Sequence, residues 1–279
     1  MMVKVICDST GDLTKEIIEK YGISIAPLNV LFGTESLRDG PDITPEQFYK
    51  RLVVDKLHPT TSAPSPGTYS ELYTKLSKET DEIVVLTISS GISATYESAL
   101  QAKELVGNIC KIEVVDSLLT CGGLGLPAYR AAQAAAQGAK LGEIVDMLKD
   151  VLPRTRAYMI FDTLEYLRKG GRIGAAKALL GGMLKLNPII TLKEGLIHPV
   201  MQARSRSKAI NELVKLVIDT PKLEDVVIQD ATTPDELEIL ADLISVKFPK
   251  EKLIRTKVGP AIGVHTGPNV LAACFIAGK

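Results

Sequence analysis

The sequence predicts an α/β protein in two parts. Residues 1–155 should form a mainly parallel sheet flanked by helices, and residues 156–279 a mixed or antiparallel sheet with helices. Three observations carry this. Up to Pro153, short apolar runs of strand length alternate with stretches of helical spacing, as parallel strands joined by crossover helices require. After Pro153 the chain is richer in strand-like runs. The stretch PIITLKEGLIHPVM places two such runs about a Lys-Glu-Gly turn, the strongest hairpin signal in the chain.

The elements follow in order. VKVICD reads as a buried strand bounded by Ser-Thr-Gly-Asp. LTKEIIEKYG has helical spacing, with Asp12 or Thr14 as cap and Gly22 as stop. ISIAPLNVLF reads as a second strand. GTESLRDGPD reads as a polar loop, and a helix begins near Thr44 with Pro45 at its first position. Ser65 and Pro66 open another helix. EIVVLTIS is a strand whose helix runs from about Ser93 to Leu105. CKIEVVDS is a strand, and LGLPAYRAAQAAAQG and LGEIVDMLKDVL are helices. Beyond Pro153, RAYMIFDTL reads as a strand, followed by LEYLRKGGRIG and an apolar helix AAKALLGGMLKL. The hairpin is followed by a helix SKAINELVKLVID, a strand DVVIQDA, a helix PDELEILADLISVKF and the strands KLIRTKVG, AIGVHTG and NVLAACFIAG.

Composition narrows the function. Apolar residues make up 46% of the chain but aromatics only 5%, with no Trp, so any cavity is lined mainly by aliphatic side chains. Lys plus Arg equal Asp plus Glu at 33 each, which gives no global pull toward nucleic acid. Cys7, Cys110, Cys121 and Cys274 form no CxxC pair and only three histidines exist, which argues against a zinc site. Neither a signal-peptide core nor a membrane-length apolar run is present, so a cytoplasmic protein is expected.

Apolar strands in the first part end in small polar residues: Asp8-Ser9-Thr10-Gly11, Ser89-Ser90-Gly91-Ile92-Ser93 and Asp116-Ser117. Thr60-Thr61-Ser62 precedes the helix opened by Ser65. Carboxyl ends of parallel strands share one edge, where ligands bind. Helix N-termini with added hydroxyls form a cradle for a carboxylate or phosphate, although the same residue types also serve as plain caps and turns. A nucleophilic serine needs a base. His58, His198 and His265 spell no local triad pattern, and ISSGIS is not GxSxG. Gly123-x-Gly125-x-x-Ala128 reads as a Gly-rich loop entering an Ala-rich helix, because the loop before it is too long for a dinucleotide turn. Arg204, Arg206 and Lys208 form a basic cluster, either a solvated face or a dock for an acidic partner or phosphorylated ligand. Lys169-Gly170-Gly171-Arg172 is either a helix stop or a turn that presents Arg172.

Taken together, these segments resemble the DegV family of bacterial fatty-acid-binding proteins over nearly the whole chain. Cys7 to Leu13 is similar to its opening DSTxDL, and Pro59 to Ser65 to its TSxPS. Ile88 to Tyr96 resembles LSSxLSGTY, and Val115-Asp116-Ser117 its VDS strand end. Leu164 to Ile173 resembles LxYLxKGGRI, Ile197 to Ala209 resembles GxIxPxxKxRxxxKA, and Val264 to Asn269 resembles HxGPG. The resemblance implies a two-domain α/β protein that binds one long-chain fatty acid, C14–C18 such as palmitate or oleate, in an apolar tunnel. It implies a carboxylate held by Thr61, Ser62 and Ser93 with His265 nearby, supported by Ser90, Thr95, Arg172 and Thr266. It implies no cofactor or metal and no catalysis by the chain itself. A separate fatty acid kinase would make the acyl phosphate, with Arg204, Arg206 and Lys208 docking that kinase or touching a membrane surface. Two positions depart from the family pattern: Ala94 stands for the glycine of LSGTY and Asn269 for the last glycine of HxGPG. The alternatives are a hydrolase or transferase using Ser93 or Ser62 with His265, and a lipid sensor acting through a protein partner.

Overall fold

The computed structural model describes residues 2–55, 57–179 and 186–279. In chain order the first part runs β1 (Lys4–Asp8), α1 (Lys15–Tyr21), β2 (Ser24–Ala26), β3 (Asn29–Phe32), β4 (Glu35–Arg38), α2 (Pro45–Val54), β5 (Thr60–Ser62) and α3 (Pro66–Leu76). It continues through β6 (Glu82–Thr87), α4 (Thr95–Val106), β7 (Lys111–Asp116), α5 (Gly122–Ala136) and α6 (Leu141–Val151). The remainder runs β8 (Thr155–Ile160), α7 (Glu165–Lys169), β9 (Asn187–Lys193), β10 (Leu196–Ala203), α8 (Arg206–Ile218) and β11 (Leu223–Asp230). It ends with α9 (Pro234–Ile244), β12 (Ile254–Lys257), α10 (Pro260–Thr266) and β13 (Leu271–Ala277).

Three sheets result. Strands β2-β1-β6-β7 form a parallel sheet, and the buried apolar run of β6 is what a strand covered on both faces requires. Strands β10-β9-β8-β13-β11-β12 form a mixed sheet, antiparallel except for the β11–β12 pair. A small antiparallel sheet, β4-β3-β5, completes the set. The α/β architecture with one parallel and one mixed sheet is the one the sequence predicts.

Local chemistry sets the element ends. Thr14 Oγ accepts the Ile17 N–H at 3.3 Å to cap α1, and Gly22 ends it at φ +63°. Thr44 and Gln47 form a capping box on α2. The β9–β10 hairpin turns on Glu194 and Gly195, both at positive φ (+51° and +78°), the two-residue turn whose twist suits a hairpin.

Five expectations change. ISIAPLNVLF is two strands in different sheets: Pro27 supplies no N–H, and the chain leaves the parallel sheet there to enter the small one as β3. The polar loop after it contains β4. AIGVHTG is helix α10 rather than a strand. Pro260 opens it and Gly267 (φ +74°) ends it, and burial on nearly every side erases the polar face that would reveal a helical period. The helix after ISSGIS begins at Thr95, two residues later than expected. Of the expected helix AAKALLGGMLKL, Gly174–Leu179 forms a short 3-10 turn and residues 180–185 lie outside the described residues.

Helix α5 packs on β1 and β6 of the parallel sheet and on β8, β11 and β13 of the mixed one. This explains its Gly- and Ala-rich sequence. A Cβ at Gly122 would overlap Val227, one at Gly125 would overlap the Gly11 carbonyl, and one at Gly123 would lie 3.1 Å from Ala157. Those glycines are inside the helix and serve close packing between two sheets.

Candidate ligand site between the sheets

A cavity of about 270 Å³ lies between the two parts of the chain. The first part contributes Thr10, Leu28, Thr61, Ile88, Ser93 and Ala94; the second contributes Met159, Phe161, Arg172, Ile197, Ile262 and His265. The lining therefore comes from both parts, not from residues 156–279 alone. An outer recess of about 350 Å³ shares Ile92, Ser93, Ala94, Arg172 and Ile197 with this cavity, so the Ser93–Arg172 wall faces both spaces.

Three segments distant in sequence meet on the polar wall. Strand β5 presents Thr61, and α10 brings His265 to it, with Thr61 Oγ1 and His265 Nε2 2.8 Å apart. Ser93 precedes α4, accepts the Thr95 N–H at 3.3 Å, and lies 2.8 Å from the Thr95 hydroxyl. Burial, with the charges of Arg172 and His58, holds His265 down at about 4, so its ring is neutral near pH 7. His265 Nδ1 is buried without a partner. A buried orphan N–H is rarer than a buried orphan acceptor, so we assign the proton to Nε2. Thr61 then accepts from His265, and its own hydroxyl proton is free to donate into the cavity.

The Lys169-Gly170-Gly171-Arg172 stretch turns out to combine both of its expected roles. Gly170 lies against the Nδ1 edge of the His265 ring: a Cβ there would overlap Nδ1 and stand 2.8 Å from Cε1. Gly171 takes φ +70° just past α7. Arg172 then returns to the cavity wall, donating through Nε to the Ile92 carbonyl at 3.2 Å and through Nη1 to the Gly170 carbonyl at 2.7 Å. The two departures from the family pattern are conformationally quiet. Ala94 sits at φ −81°, where no glycine is needed, and Asn269 at φ +62°, which Asn tolerates.

Thr61, Ser93, His265, Arg172 and Thr266 all line the cavity, and Thr95 is buried behind Ser93. Ser62 and Ser90 are not among the lining residues. Strand alternation turns Ser62 to the opposite face from Thr61, where it is exposed and accepts from Asn29 Nδ2 at 3.3 Å. Ser90 is exposed, its N–H donating to Asp116. Ser89 is buried, and its hydroxyl donates to the Gly195 carbonyl at 2.7 Å, fastening the hairpin turn to the loop after β6. Among the described residues, none of these serines bonds to a histidine. In the basic cluster Arg204 and Lys208 are exposed, whereas Arg206 bridges Glu236 at 2.7 Å and Asp162 at 3.2 Å and donates to the Asn269 carbonyl.

Behind the cavity lies a group of carboxylates, Asp8 and Asp39 buried and Asp12 partly buried, whose grouping the sequence does not reveal. Asp8 accepts from the Thr10 hydroxyl at 2.5 Å and the Ile88 N–H at 2.6 Å. Asp12 accepts from Gly259 N–H and Gln229 Nε2, both at 3.0 Å. Asp39 accepts from the Ser9 hydroxyl at 2.9 Å and the Ala261 N–H at 3.3 Å. Burial pushes Asp8 and Asp39 up to about 6, and burial together with the Asp39 charge raises Asp12. The available signal was an acid at each end of STG in DSTGD; Asp39 gave none. Among the described residues, no cluster has the make-up of a metal site and no helix is long and apolar enough to cross a membrane.

The two larger sheets flank an apolar cavity with hydroxyls and a neutral imidazole on its wall, a geometry that fits a small molecule with a polar head. The chain belongs to the DegV family: the family model described as "Uncharacterised protein, DegV family" matches residues 2–278. It is 34% identical over 277 residues to a DegV domain-containing protein of Caldanaerobacter subterraneus subsp. tengcongensis, covering 98% of each chain. Its fold superposes with a TM-score of 0.92 on a DegV family protein from Thermus thermophilus described as fatty acid binding, at 28% identity and covering 99% and 100% of the two chains. A stearic acid-binding protein from Eubacterium ventriosum matches with a TM-score of 0.89, also at 28% identity, over 99% of each chain.

Proposed function

We propose that this chain is a non-enzymatic carrier that binds one long-chain fatty acid, C14–C18, and presents it to a separate fatty acid kinase in the cytoplasm. The observation that carries the reading is the Thr61–His265 pair lining, together with Ser93, a mainly apolar cavity. A desolvated carboxylate needs hydrogen-bond donors. Thr61 offers one because His265 occupies its acceptor side, and Ser93 offers another when Thr95 donates to it. Charge-assisted bonds of this kind contribute about 1.5–3 kcal/mol each. The tail adds roughly 0.8 kcal/mol per buried CH₂, so it dominates affinity while the hydroxyls fix orientation. The relatives described as fatty acid binding support the same ligand class.

In this reading residues 1–155 supply the hydroxyls, residues 156–279 supply His265 and Arg172, and the acyl chain runs between the two domains. Arg172, on the wall shared with the outer recess, places positive charge where a phosphoryl group would be added. Docking of the kinase, or a passing contact with a membrane surface, falls to Arg204 and Lys208, since Arg206 is occupied by its ion pairs. A serine hydrolase is disfavoured by the partnering of His265 with Thr61.

The test is mass spectrometry of the protein purified from a bacterial host, native and after solvent extraction. A stoichiometric C14–C18 acid in wild type, diminished in Thr61→Ala plus Ser93→Ala, is expected. Kinase-dependent acyl phosphate formation then separates a carrier from a sensor. An empty protein that takes up neither palmitate nor oleate, or one that turns over a chromogenic acyl ester, overturns the reading.

A further inference from the structure

We propose that Asp39 is a positioning residue for the fatty-acid carboxylate site, acting through α10; the proposal rests on the carboxylate reading given above. The small sheet touches α10 twice. Asp39 follows β4 and accepts the N–H of Ala261 in the first turn of the helix. Thr61, in β5, meets His265 in the last turn. Strand β3 joins the two contact points, pairing Asn29 with Arg38 on one side and Val30 with Thr61 on the other. Ala261 and His265 are four residues apart, about one turn or ~6 Å along the helix axis. A shift of the first turn therefore carries the imidazole with it.

Asp39 also accepts from Ser9, whose hydroxyl accepts the Leu28 N–H at 3.1 Å, and Leu28 lines the cavity. One carboxylate thus ties the helix that carries His265, the loop after β1 and the segment entering β3. Asp39 does not line the cavity itself. Its charge sits beside Asp8, Asp12 and Tyr49. The outer cleft that it does line also carries Lys15, Glu16, Glu46, Asp230, Arg255 and Lys257. A buried, ionised Asp39 costs folding stability at neutral pH, whereas its two acceptor bonds, at 2.9 and 3.3 Å, join the loop after β1 to the first turn of α10. A residue that costs stability and touches no ligand fits a role in fixing geometry.

The test is Asp39→Asn, which keeps the shape and an acceptor and removes the charge. In delipidated protein at pH 7.5, its Tm should rise while its affinity for oleate falls about tenfold, the equivalent of one net hydrogen bond. The 13C signal of carboxyl-labelled oleate and the 15N signals of the His265 ring should both shift. Ser9→Ala, which leaves the carboxylate in place but removes one donor, should weaken oleate binding in the same direction by less. Unchanged affinity and unchanged NMR signals in Asp39→Asn overturn the positioning role alone. A fall in Tm and affinity together, in both variants, makes Asp39 a general structural residue and also overturns it. Failure of the wild-type protein to bind oleate overturns this proposal and the carboxylate reading together.

Discussion

Gly170→Ala is the sharpest test of how the polar wall is built. Gly170 has φ −76°, an ordinary value, so alanine costs nothing in backbone conformation. The added methyl would nevertheless stand 2.8 Å from His265 Cε1 and 3.2 Å from Cγ, and would overlap Nδ1. Non-bonded carbons prefer about 3.5–4.0 Å, so the ring must move by on the order of 1 Å. Its Nε2, on the side of the ring away from the added methyl, already lies 2.8 Å from Thr61 Oγ1, so the ring cannot slide straight back and must turn, which spoils the alignment of that hydrogen bond. Overpacking costs about 1–3 kcal/mol and the lost bond about 1 kcal/mol, giving a loss of stability of about 2–4 kcal/mol. Fatty-acid affinity should fall roughly tenfold with the disordered carboxylate cradle. Gly171→Ala is the control: at φ +70° with nothing within 4 Å of its Cβ, it should cost about 1 kcal/mol of backbone strain and leave affinity alone. Denaturant unfolding of delipidated protein and titration with a fluorescent fatty acid read both quantities. If Gly170→Ala unfolds and binds like wild type, the reasoning that Gly170 exists to seat His265 is wrong.

Two further outcomes follow from the geometry. Arg206→Ala should destabilise the fold by about 1–3 kcal/mol, because it leaves Glu236 and Asp162 without their shared cation, whereas Arg204→Ala and Lys208→Ala should stay within about 0.5 kcal/mol of wild type in urea unfolding. Equal effects at all three positions would contradict this assignment. His265, held at about 4 against an ordinary 6.5, takes up its proton more readily when unfolded, so its contribution to stability is present above pH 6.5 and is lost as pH falls toward 4. Wild type should therefore gain about 3 kcal/mol relative to His265→Asn between pH 4 and 6.5, in the direction opposite to the raised Asp8 and Asp39. A pH-independent difference between the two proteins would show that His265 is not held neutral.

Particular residues show how much could be read in advance. Thr44 with Pro45 and Ser65 with Pro66 marked helix starts correctly, because caps are local chemistry. The hydroxyl-rich loop after β6 and the Lys169–Arg172 turn were legible as cap and turn chemistry for the same reason, and the structure brings Ser93 and Arg172 from them to the cavity wall. Ser62 shares a motif with Thr61, yet a strand separates neighbours onto opposite faces, and nothing in a three-residue polar run marks it as a strand. The apolar run holding His265 read as a strand because a buried helix has no polar side to show. Arg206 looked like its exposed neighbours; its partners lie 30 and 44 residues away.

The sequence by itself determined most of the elements, the two kinds of large sheet and the chemical types on the polar wall, since caps, turns and apolar periodicity are local, whereas the split of ISIAPLNVLF, β4 and α10 were decided by packing. Only the tertiary structure decided which of these types meet. Thr61 and His265 lie 204 residues apart and touch because the small sheet and α10 are pinned at two points. Gly170 is small because a ring lies against it, and Asp39 is a buried acid because a distant backbone N–H points at it. Such pairings depend on packing between distant segments, and packing leaves no periodic trace in the chain.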